Sequence, residues 1–170
     1  MFKYLFNKIK KILFYKTYLV KRRIGLIFNI NQNIKIGGKK IILPPGHLLS
    51  LYNVTHRKYD AFLPMVIKNI KYNESIIDVG ANVGDTLLRC INANNKPNYY
   101  SIEADKYFFG YLKKNKEIFE KDMQQKITII NELVGENLEG NLSFSSEASL
   151  LAELYSKNLS QEKINRYKSF

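Results

Sequence analysis

No aspartate or glutamate occurs before Asp60, although 13 lysines and arginines precede it. From Asp60 onward, 14 basic residues stand against 15 acidic ones, so the net charge of +12 belongs to the first third of the chain. An AT-rich coding bias would account for abundant Lys, Asn, Ile and Tyr, but not for missing acids. The single cysteine, Cys90, excludes a disulfide framework, and with only His47 and His56 beside it no Cys/His zinc cluster can be assembled; no metal site is expected. A reducing, cytoplasmic compartment fits this cysteine use. Long apolar runs are lacking too. The longest uncharged stretch, residues 41–56, has 16 residues and contains Pro44, Pro45 and Gly46, too short and too interrupted to span a bilayer. What is present, 170 residues with 45% hydrophobic and 13% aromatic content, suffices for one globular domain and excludes a disordered tail or a collagen-like repeat.

Residues 1–28 are expected to form a basic amphipathic helix. Phe2, Leu5, Phe6, Ile9, Ile12 and Leu13 recur at three- and four-residue steps, with Lys3, Lys8, Lys10, Lys11 and Lys16 mostly between them. A secretory signal is disfavoured, because Lys16 interrupts the apolar run and no small-residue cleavage site follows. Two readings stay open: a helix lying on an anionic membrane surface through residues 1–23, peripheral at its inner face, or a helix docked on the domain or left solvated. Nucleic acid is not an expected partner, since the lysines come without a groove-reading motif. Residues 29–58 form an extended region, in which Gly37-Gly38 between Ile34/Ile36 and Lys39–Leu43 predicts a β-hairpin closed by a two-residue turn.

Residues 59–170 are expected to form the main domain. A helix over about 60–70 would turn Phe62, Leu63, Val66, Ile67 and Ile70 to one side, with Pro64 tolerated near its first turn. A regular alternation follows: a buried strand over 75–79, a helix over 84–94, a strand over 99–102, a helix over 105–120 capped by Asp105, and a strand over 127–130. The second of these helices would bury Phe108, Tyr111, Leu112 and Phe119. This order predicts right-handed βαβ crossovers in an α/β Rossmann-like parallel sheet, with the chemistry at the strands' carboxyl ends. A short strand over 141–145 and a helix over 147–159 complete the expectation. Cys90 is read as a core residue, and His47 and His56 as surface or structural.

The segment Ile76-Ile77-Asp78-Val79-Gly80-Ala81-Asn82-Val83-Gly84-Asp85 is an apolar strand that opens through glycines into a helix, the way nucleotide-like ligands are held. The backbone N–H groups at the start of the following helix are expected to attract a ligand carboxylate. Glu103, 23 residues after Gly80, ends the next strand, where a carboxylate can accept both hydroxyls of a ribose. Asn82 stands where a dinucleotide fingerprint needs its second glycine, and Asp78 puts an anion close to where phosphates would rest. Both disfavour NAD and ATP and suit S-adenosylmethionine, whose ammonium an acid such as Asp78 attracts.

The string Asp78-Val79-Gly80-Ala81-Asn82-Val83-Gly84-Asp85, with Ile102-Glu103-Ala104-Asp105 and Ile129-Ile130-Asn131-Glu132-Leu133-Val134-Gly135, resembles the FkbM-type class I methyltransferases from about residue 58 to 145. The resemblance implies that the Asp78 to Gly84 loop, including Ala81 and Asn82, holds the methionine part of the cofactor. It also implies that Glu103 holds the ribose and that Ala104 with Asn131 and Glu132 flanks the adenine. The implied acceptor is a small molecule or glycan, through a hydroxyl of a sugar or secondary metabolite. The family's later segment resembling I-K-I-D-V-E-G has no counterpart in residues 140–170, and no candidate base for the acceptor stands out. The expectation is an incomplete sheet with an unpaired edge on the first strand, read as an interrupted gene, a fragment, or a short form that a partner chain completes.

Overall fold

The computed structural model of the chain describes residues 2–56, 60–71, 73–123 and 126–134. Helix α1 (Phe2–Ile27) leads into the antiparallel hairpin of β1 (Gln32–Ile36) and β2 (Lys39–Leu43). Gly37 and Gly38 take φ of 56° and 83°, the left-handed pair that a primed two-residue turn requires. Two short helices follow, α2 (Leu49–Thr55) and α3 (Leu63–Ile67). The alternating part comprises β3 (Ser75–Val79), α4 (Asp85–Ala93), β4 (Asn98–Ile102), α5 (Lys106–Met123) and β5 (Ile127–Ile130). No described helix is long and apolar enough to cross a membrane.

The three later strands pair in parallel in the order β3-β4-β5, Asp78 lying beside Ser101 and Ser101 beside Ile129. Two crossovers stepping in one direction with one hand put α4 and α5 on the same face of the sheet. Tyr99 and Ile127 on that face join Leu87, Leu88, Ile91, Leu112 and Phe119 in the core. As expected, Phe108, Tyr111, Leu112 and Phe119 are the buried side of α5, and Cys90 is a buried free thiol whose pKa burial pushes up to about 11. Asp105 caps α5, its Oδ1 accepting the N–H of Tyr107 at 2.7 Å and of Phe108 at 3.2 Å.

The hairpin is tied to this body by Asn115 of α5, which is fully buried. Its Oδ1 accepts the Ile42 N–H, and its Nδ2 donates to the carbonyls of Ile42 and Val83, each bond at 2.8 Å. One amide thereby fixes β2 against both α5 and the loop after β3.

Two expectations need correction. The helix expected over about 60–70 is only Leu63–Ile67; Ile67 is buried, but Phe62 and Val66 face solvent. It stops early because the Asn94 side chain takes the carbonyls of Ile67 (2.9 Å) and Ile70 (2.8 Å) and holds the chain in a turn. The strand Ser75–Val79, expected to be buried, leaves Ile77 64% and Val79 59% exposed. These side chains point away from α4 and α5, and among the described residues nothing covers that face or pairs with the outer edge of β3. The expected strand over 141–145 and helix over 147–159 lie outside the described residues.

Candidate functional site

At the carboxyl end of β3 the chain turns through Gly80 (φ 81°), Asn82 (φ 50°) and Gly84 (φ 89°), three left-handed residues in five. Gly84 is required by packing as well as by its backbone, since a Cβ there would lie 2.9 Å from the Leu112 side chain. Above Gly80, by contrast, a Cβ would meet nothing within 4 Å. That open space lets another molecule approach the backbone closely. The loop is fastened to β4 by the N–H groups of Gly80 and Ala81, which donate to the Ile102 carbonyl at 2.9 and 3.0 Å.

Glu103 is 3% exposed and acts first as a clamp. Its Oε2 accepts the Asn82 N–H at 2.7 Å and its Oε1 the Asp105 N–H at 2.8 Å, joining the glycine loop to the start of α5. Each oxygen keeps a second lone pair. Asn131, half-buried at the end of β5, donates from Nδ2 to the carbonyls of Glu103 (2.7 Å) and Ala104 (3.2 Å), and so holds the β4 terminus in place. Glu132 is exposed beside it. The residues singled out from the sequence therefore gather around the ends of three adjacent strands, as a topological site in an open parallel sheet should.

Asp78 differs from the others in being unsatisfied. Its Oδ2 is buried without a hydrogen-bond partner, and so is the Oγ of Ser101, its cross-strand neighbour. Burial raises the Asp78 pKa to about 6, and the charges of Asp85, Asp60 and Glu103 push in the same direction. A carboxylate with one oxygen buried and unpartnered among other carboxylates costs free energy that a bound cation would recover.

At the start of α4 the pKa of the buried Asp85 carboxyl is pushed up to about 6, chiefly by burial, with Arg89 and the backbone N–H groups of Asp85 and Thr86 pulling the other way.

His47 was not singled out as a site residue, yet it belongs to the site's wall. Its Nε2 lies 3.2 Å from Asn82 Oδ1, its ring packs edge-on to Phe108, and burial lowers its pKa. Nothing in its local sequence marks this role, because the contact spans 35 positions. Asp85 and Ser101 were likewise missed, although Asp85 stands inside the glycine motif.

No protein-family description matches the sequence, and no curated protein does either. Among solved structures, the chain is similar to a SAM-dependent methyltransferase from Agrobacterium tumefaciens, with 12% identity and a TM-score of 0.42. The similarity covers 59% of this chain and 31% of that one, so the matched part is less than a third of that protein's length.

Proposed function

We propose that this chain carries the cofactor-binding part of an S-adenosylmethionine-dependent methyltransferase. The observation that carries the reading is the partnerless Asp78 oxygen, buried in a group of carboxylates behind an open glycine turn. An anion so placed repels phosphates and favours an ammonium. That is the discrimination expected for a sulfonium amino-acid nucleoside over NAD or ATP. Bound there, S-adenosylmethionine would supply an electrophilic methyl group. In this reading Asp78 receives its ammonium, the Gly80-Ala81-Asn82 turn lies against its chain, and Glu103 offers its remaining lone pairs to the ribose. Ala104, Asn131 and Glu132 border the adenine. The FkbM-like motifs support a hydroxyl of a sugar or secondary metabolite as acceptor.

The edge of β3, unpaired among the described residues, and the exposed Ile77 and Val79 favour a second reading of the same site, in which a partner chain completes the sheet and brings the acceptor side. Methyl transfer would then require both chains, while cofactor binding would not.

Calorimetric titration with S-adenosylhomocysteine tests the shared core of both readings. Binding is expected, and Glu103→Gln, which keeps the volume but removes the charge, is expected to weaken it at least tenfold, about 1.4 kcal/mol. Absence of heat with this compound and with S-adenosylmethionine, from protein shown by circular dichroism to be folded, overturns the proposal.

A further inference from the structure

Helix α1 meets the domain along one side only. Tyr18 is buried and donates from its hydroxyl to the His47 carbonyl at 2.9 Å, Arg22 Nε donates to the Gly46 carbonyl at 2.8 Å, and Gly25 is buried one turn further on. At 100° per residue these three positions share one face. Phe6, Ile9, Leu13, Val20, Ile24 and Ile27 fall on the opposite face, and all are exposed, Leu13 by 66% and Ile27 by 75%. The amphipathic pattern is therefore inverted relative to a helix that packs its apolar stripe on its own domain. The stripe runs for roughly 30 Å at 1.5 Å per residue. Exposed Phe28 and Ile30 extend it past the helix end.

Charge identifies the occupant. Lys10 and Lys21 flank one side of the stripe and Lys16 and Arg23 the other, all exposed, while neither α1 nor anything before Asp60 offers an acid. A second copy seated stripe to stripe would bring cations against cations with no carboxylate to pair them. Nucleic acid would meet the lysines but leave the apolar stripe in water. An anionic lipid surface satisfies both: the apolar side chains enter the acyl boundary while lysine and arginine stems reach back to the headgroups.

We infer that the outward face of α1 is an in-plane binding surface for anionic lipid bilayers. This surface is independent of the cofactor site. The opposite face of α1 docks on the segment Gly46-His47, whose histidine touches Asn82 of the glycine loop, so the bilayer-facing helix and the site share one support.

Cosedimentation of the full chain with vesicles of phosphatidylcholine plus phosphatidylglycerol, against phosphatidylcholine alone, tests the inference. Binding is expected to the anionic vesicles only, and to fall at least tenfold in affinity on raising the salt from about 0.1 M to about 0.5 M. Leu13→Asp with Val20→Asp, on exposed positions, is expected to abolish it with an unchanged circular dichroism spectrum. A double variant Lys10→Gln, Lys21→Gln is expected to weaken it and gives a second readout if the first variant misfolds. Equal binding to neutral vesicles, no binding to either, a dimer dissociated by the Asp substitutions, or RNA binding without vesicle binding would each overturn it.

Discussion

Asp78 lowers the stability of the ligand-free protein for the same reason that it suits a cation. Unfolded, its carboxyl titrates near 3.8; folded, burial and then the charges of Asp85, Asp60 and Glu103 raise this to about 6. Between those values the folded chain binds more protons than the unfolded one, so this group's contribution to stability falls as pH rises, and its cost is complete above about pH 6. Asp85 has the same sign. His47, held neutral by burial, has the opposite sign and loses stability as pH falls below its ordinary value of 6.5. Comparing Asp78→Asn with the parent protein cancels the histidine. The variant is expected to melt higher at about pH 7.5, by on the order of 2 kcal/mol, and to melt at the same temperature as the parent near pH 4. Thermal denaturation at the two pH values checks this; a variant less stable at neutral pH would mean that Asp78 has a partner. The motif residues Asp78, Gly80, Gly84 and Glu103 were legible because their spacing is local to two strand ends. His47 was not, because a contact across 35 positions leaves no periodic trace.

At the scale of elements, the βαβ repeat could be read to within a few residues because apolar strands, a capping aspartate and the helical spacing of Phe108, Leu112 and Phe119 all agree. The hairpin followed from its two glycines. The misreadings have tertiary causes. Phe62 and Val66 fit a helical stripe, but Asn94 captures the carbonyls that would have continued the helix. Ile77 and Val79 have the composition of a two-sided buried strand, yet only one face is covered among the described residues. Asn115, midway in α5 and unmarked by the helical apolar spacing, is the bolt between hairpin, helix and glycine loop. Replacing it with alanine leaves the Ile42 N–H and the Ile42 and Val83 carbonyls without these partners. A loss of about 2–4 kcal/mol is expected in urea denaturation. A loss below about 0.5 kcal/mol would show that water replaces the amide and that the hairpin is not anchored there.

Across the molecule, charge is separated in a way the sequence announces at Asp60. The basic segment builds an outward helix face, while the charges of Asp85, Asp60 and Glu103 all act on Asp78 at the carboxyl end of β3. A chain of net charge +12 thus gathers carboxyl groups around the end of β3, an arrangement that discriminates between ligands by the sign of their charge. The central claim is that this cluster grips the amino-acid end of a sulfonium nucleoside through Asp78. Calorimetric comparison of S-adenosylhomocysteine with 5′-deoxy-5′-methylthioadenosine, which lacks the ammonium, on the parent protein and on Asp78→Asn tests it most directly. The account predicts that the variant loses at least tenfold in affinity for the first compound and binds the second as the parent does; equal loss for both compounds, or no loss for either, would contradict it.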